Sequence, residues 1–124
     1  MHYAILCYSP QETVAALTPA QDETMMRTVL ATGEALRAEG KLGVSMRLTD
    51  TATAVSLRHG GGDGVVLDGP FAETKEQLLG LYVLECDSLD DAIDAARRLA
   101  VGRTPGVLEV RPVRLFIDEA GRQR

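Results

Sequence analysis

The sequence predicts an α+β chain of the ferredoxin-like βαββαβ type, with a β-hairpin inserted between its second and third core strands. Three observations predict it. Helix-start signatures at Thr18 and Ser88 each sit between strand-like apolar segments. The glycine-rich run from His59 to Gly64 separates two short β-branched segments, as the tip of a hairpin would. The strand segments are apolar at both odd and even positions, so both faces of their sheet need cover.

Residues 2–8 are rich in Tyr, Ile, Leu and Cys and stop at Ser9-Pro10, which reads as a strand ended by a turn. Thr18-Pro19-Ala20-Gln21 opens a helix: Thr18 caps it and Gln21 completes a capping box. Pro19 fits the first helical position, where an N–H has no intrahelical partner. Met25, Met26, Val29, Gly33 and Leu36 recur at helical spacing, and Gly40 closes the helix. Lys41 to Leu48 forms the second strand. Val55 to Arg58 and Val65 to Leu67 form the hairpin. Asp68-Gly69-Pro70 makes a tight turn, and Phe71 to Leu79 has room for one helical turn. Residues 80–86 are the third core strand. Ser88-Leu89-Asp90-Asp91 caps a second helix with acidic residues where the helix dipole favours them. Ala92, Ile93, Ala96 and Leu99 form its apolar face. Val107 to Val113 is the last strand, with Leu115-Phe116-Ile117 as its extension. No linker, repeat or low-complexity stretch divides the chain, so residues 1–124 form a single domain.

Composition narrows the function classes. The chain has 124 residues, 45% hydrophobic and 25% charged, which excludes a disordered, coiled-coil or collagen-like protein. Thirteen basic against eighteen acidic residues give a net charge of −5, which repels phosphate backbones and argues against nucleic acid. No apolar run approaches the ~18 residues of a membrane helix, and the N-terminus lacks the basic region of a signal peptide. Cys7 and Cys86 lack C-x-x-C spacing and fall at opposite ends of neighbouring strands, beyond the ~7 Å a disulfide spans. The expectation is a cytoplasmic protein with small buried thiols.

In the first strand Tyr3, Ile5 and Cys7 point one way and Ala4, Leu6 and Tyr8 the other; in the third, Leu81 and Val83 oppose Tyr82 and Leu84. One apolar face takes the helices. A second copy is the simplest cover for the other, giving a homodimer packed sheet to sheet; the alternative is the hairpin and the C-terminal tail folding over it.

Polar residues on this frame are the candidates for chemistry. Glu109 and Arg111 share the face opposite Leu108 and Val110, where Arg111 would bind a small carboxylate and Glu109 orient it; a plain ion pair is the other reading. Asp68 either accepts backbone hydrogen bonds in its own turn or, like Glu73, acts as a general base in a dry pocket. Lys75 either binds an anion or belongs to a solvated face with Glu73 and Glu76. His59 is an acid–base group or an exposed loop residue. His2 and His59 are too far apart for a metal site. The run Gly60 to Gly64 lacks the G-K-[ST] of a phosphate loop, so no metal and no cofactor is expected.

Asp68 to Glu76 (DGPFAETKE), then Gly80-Leu81-Tyr82-Val83-Leu84 and Glu109-Val110-Arg111-Pro112-Val113, together resemble the DGPF family of YCII-related proteins over nearly the whole chain. The resemblance implies a dimeric α/β-barrel of ferredoxin-like protomers. It carries Asp68, Gly69, Pro70, Phe71, Glu73, Lys75, Glu109 and Arg111 intact, with Phe71 beside a ligand. Family members encoded beside, or fused to, extracytoplasmic-function sigma factors imply a regulatory setting and such a factor as partner. The wider group has a His–Asp pair proposed as an active site, and related barrels include isomerases and dehalogenases. Where many relatives carry a histidine in the long helix, this chain has Val29. Three functions follow as expectations: a small dimeric binding or regulatory protein; an enzyme moving a proton on a small organic acid, with Asp68 or Glu73 as base and Arg111 as anchor; or a module that binds a sigma factor.

Overall fold

The structure, a computed structural model, describes residues 1–124. Strand β1 (His2–Pro10) is followed by a one-turn helix α1 (Gln11–Ala15), the long helix α2 (Pro19–Ala38) and strand β2 (Leu42–Arg47). After a 3-10 turn at Thr51–Thr53 come β3 (Val55–Arg58), β4 (Val65–Asp68), β5 (Glu76–Glu85), α3 (Leu89–Ala100) and β6 (Val107–Pro112). The main sheet is antiparallel with order β2-β5-β1-β6, and β3 and β4 pair separately. Setting the inserted hairpin aside, this is the ferredoxin-like arrangement.

The helices start where the sequence says. Thr18 Oγ1 accepts from Gln21 N at 3.1 Å while Gln21 Oε1 accepts from Thr18 N at 2.9 Å, so two otherwise unpaired amides are satisfied. Gly40, at φ +76°, takes the left-handed conformation that ends α2. Ser88 Oγ caps α3 by accepting from Asp91 N at 3.1 Å. Val29, Gly33 and Leu36 of α2 and Ala92, Ala95, Ala96 and Leu99 of α3 are buried against the sheet. Lys41 is 2.7 Å from Asp91, and Arg98 forks onto Glu39, so the two helices are tied together at one end.

Three segments depart from expectation. Residues 71–75 hold no helical turn. The Gln77 side chain donates to the carbonyls of Ala72 (3.0 Å) and Thr74 (2.6 Å), so acceptors a helix would use are already taken. Strand β5 therefore starts at Glu76, and β1 runs on to pair Ser9 with Gln77 and Pro10 with Glu76. The last strand stops at Pro112, and the tail turns back on itself: Ile117 bridges Gln123, and Asp118 accepts from the amides of Ala120 and Arg122. The helix α1, absent from the sequence reading, fills part of the connection after Pro10.

The two sheet faces differ in their cover. Tyr3, Ile5, Cys7, Tyr82 and Leu84 are buried beneath the helices, with Leu108 and Val110 against them. On the opposite face Ala4, Leu6, Tyr8, Leu81 and Val83 are half-buried, and Val44 and Met46 of β2 are exposed. The tail reaches one corner, where Phe116 stacks on His2 with ring centroids 4.1 Å apart. The hairpin closes on its own base through Gly69 N to Ala54 O (2.7 Å) and Ser56 Oγ to Gly69 O (2.8 Å); Val55, Leu57, Val66 and Leu67 stay exposed. Both cysteines are buried free thiols, set apart along the sheet by the register that pairs Cys7 with Gly80.

Candidate functional site

The residues singled out in the sequence fall into two places. His59, Asp68, Phe71 and Glu73 line a hollow of about 610 Å³ at the base of the hairpin, with Arg58 5.6 Å from the Phe71 ring centroid. Its walls are open: Phe71 is 80% exposed, and Asp68 and Glu73 are exposed too. The dry pocket that a carboxylate base needs is not there. Nor does any backbone amide donate to Asp68, so the turn is held instead by Gly69 at φ +96° and its bond to Ala54. Lys75 is exposed outside this hollow. Glu109 and Arg111 lie opposite Leu6 and Ala4 on the open face of the sheet, as their alternation requires. There Arg111 Nε donates to Glu109 at 2.9 Å, so its charge is spent on its neighbour.

A second cavity, about 270 Å³, lies between α2 and the inner side of β2 and β5. Strand β2 explains it. Val44 and Met46 pair with Val83 and Leu81 on the open face, so Ser45 and Arg47, opposite Tyr82 and Gly80, point toward the helices. A strand that turns its polar side inward cannot pack tightly under a helix, and a cleft results. Gly80 lets the two strands approach: a Cβ there would be 2.8 Å from the Met46 carbonyl oxygen. Met25, Val29 and Leu42 supply apolar wall.

Three arginines border this cleft, and two are already neutralised. Arg47 makes a fork onto Asp22 of α2 at 2.7 and 3.1 Å, which holds the Asp22 carboxyl below its ordinary range. Arg37 sits 3.6 Å from Glu34 and donates to Gly43 O at 3.3 Å. Arg103 is different. Its Nε donates to Leu99 O at 2.7 Å, a free acceptor of the last turn of α3, and its Nη2 donates to the Tyr82 hydroxyl; it has no carboxylate partner. Because Tyr82 accepts from Arg103, its own O–H is left to donate. Burial pushes the phenol pKa up, against the opposing charge of Arg103, so the group stays protonated at neutral pH. Cys7 also lines the cleft; burial likewise raises its thiol, which is wall rather than nucleophile.

Neither Arg103 nor Tyr82 was a sequence candidate. Tyr82 reads as core in an apolar strand, and Arg103 as a loop residue after α3. The sequence does carry two pointers to the cleft: Ser45 and Arg47 alternate onto the helix side of β2, and Gly33 interrupts α2.

An antiparallel ferredoxin-like sheet backed by two helices, with a lined cleft beneath the longer one, defines a class of small α+β proteins. Within it the chain belongs to the family of YCII-related domains, which it matches over residues 1–117. It is 46% identical over 117 residues to an uncharacterized protein of Rhizobium meliloti (strain 1021), covering 94% of each chain. No helix is long and apolar enough to cross a membrane.

Proposed function

We propose that the protein is a homodimer that binds a small organic acid in the cleft between α2 and β2–β5, as the sensing half of a regulatory pair. The observation that carries the ligand reading is Arg103: a cation without a carboxylate partner, beside a buried phenol that has a hydrogen left to donate. A carboxylate accepts from both, and such charge-assisted bonds are about twice as strong as neutral ones. The apolar wall supplied by Met25, Val29 and Leu42 suits a hydrocarbon or aromatic body. Valine at position 29 favours binding over imidazole-dependent catalysis.

The dimer rests on the open face. The chain exposes 8378 Å² of surface, about 1,900 Å² more than the ~6,500 Å² usual for its mass. A standard interface removes about 800 Å² per partner. Leu6, Leu81, Val83, Val44 and Met46 form an apolar band of the right kind, and Glu109–Arg111 at its edge would pair within the seam. Cover by a second copy satisfies a two-fold interface, in which the same patch serves both partners. The sigma-factor setting is supported by the family resemblance.

Native mass spectrometry of the protein from its own host tests all three parts. The expected spectrum shows two chains and a retained small acid lost on Arg103→Met. A single chain at micromolar concentration would overturn the dimer. A bare dimer that also fails to take up added benzoate would overturn the ligand reading. A complex with a sigma factor supports the regulatory part, and its absence from host extracts counts against it.

A further inference from the structure

We infer that Gly33 sets the size of the acid the cleft admits; this rests on the ligand reading above. Gly33 occupies an interior position of α2, where glycine is the poorest helix former after proline. Its backbone does not call for glycine, since it is not among the positive-φ residues. Packing does not call for it either. A Cβ at position 33 would meet Leu42 Cδ2 at 3.5 Å, an ordinary van der Waals contact. This contrasts with Gly80, where the added atom would strike a carbonyl oxygen. What the missing side chain does leave is room: Gly33 is buried and lines the cleft.

Its position gives the room a direction. Thr28 of α2 lies against Gly102, the residue before Arg103, so the anchor sits level with the middle of the helix. Gly33 is five residues further along the helix, about 7.5 Å at 1.5 Å per residue. An acid anchored on Arg103 and Tyr82 runs its tail past Val29 toward Gly33. A short acid stops before it, and a long one needs the space that it leaves.

The test uses two carboxylates, benzoate and the longer biphenyl-4-carboxylate, titrated calorimetrically into the wild type, Gly33→Ala and Gly33→Val. The wild type should bind both acids. Gly33→Val should keep benzoate within about twofold and weaken biphenyl-4-carboxylate at least tenfold, with Gly33→Ala in between. Gly33→Ala should also melt about 2–5 °C higher, because alanine stabilises a helix wherever its Cβ fits. Equal binding of the long acid by wild type and both variants would overturn the inference, as would a lower melting point for Gly33→Ala. Should Gly33→Val fail to fold, Gly33→Ala alone decides. A wild type that binds neither acid overturns the cleft reading itself, an outcome visible before any variant is made.

Discussion

Arg103 and Tyr82 stand 21 residues apart in the chain, yet the guanidinium lies 5.3 Å from the phenol ring centroid and hydrogen-bonds its hydroxyl. The last turn of α3 fixes this arrangement by accepting from Arg103 through the Leu99 carbonyl. The two side chains therefore present their remaining donors from a fixed position, and little entropy is lost when an anion meets them.

Removing the charge should be the costlier change. Arg103→Met should weaken benzoate binding about ten- to a hundredfold, the range for a hydrogen bond to a charged group. Tyr82→Phe should weaken it less, about tenfold at most, the low end of that range, because the phenol donates to a charged acceptor but carries no charge itself. Calorimetric titration of both variants checks the order; a larger loss in Tyr82→Phe would show that the phenol, not the cation, holds the acid.

The open face predicts the assembly. Val44 and Met46 are exposed in one chain, so Val44→Lys with Met46→Lys should leave the protomer folded. The same change would put charges in the proposed sheet-to-sheet seam and should convert two chains to one. Size-exclusion chromatography with light scattering reads this directly, with circular dichroism as the check on folding.

The Asp22–Arg47 fork makes stability depend on acid. Arg47's hydrogen bonds lower the Asp22 pKa on folding, so the pair's contribution is fully present above the unfolded value of ~3.9. It is lost as pH falls through the folded value. Both side chains are partly exposed, so the effect is small and salt-sensitive. Asp22→Asn should melt about 1–3 °C below wild type at pH 7 in low salt, and the gap should close as pH falls below the ordinary carboxylate range. Thermal melts across that range test the sign.

The Thr18 capping box should contribute about 1 kcal/mol, so Thr18→Ala should lower the melting temperature by about 3–5 °C without altering benzoate affinity. A loss of binding alongside would mean that the start of α2 shapes the cleft.

Much of this fold is legible along the chain because it is locally encoded. Thr18 with Gln21, and Ser88 with Asp91, satisfy amides three residues away, and Tyr3–Ile5–Cys7 against Ala4–Leu6–Tyr8 follows from strand alternation alone. The loop before β5 is harder to read, since its shape depends on the Gln77 side chain reaching back to Ala72 and Thr74. The cleft was missed for a different reason. Its groups come from α2, β2, β5 and the loop after α3, and no local pattern marks Arg103 as the arginine of the cleft that lacks a carboxylate partner. Two signals were in view: Ser45 and Arg47 place polar groups on the helix side of β2, and Gly33 interrupts a good helix. Conversely, the dense polar motif from Asp68 to Glu76 borders a hollow that is open to solvent.

The measurement that bears most directly on the central claim is an amide chemical-shift map of the protein titrated with benzoate. Saturable shifts are expected, centred on Cys7, Val29, Tyr82 and Arg103 and reduced in Arg103→Met. Shifts centred on residues 56–73 at the hairpin base, or none up to millimolar benzoate, would contradict it.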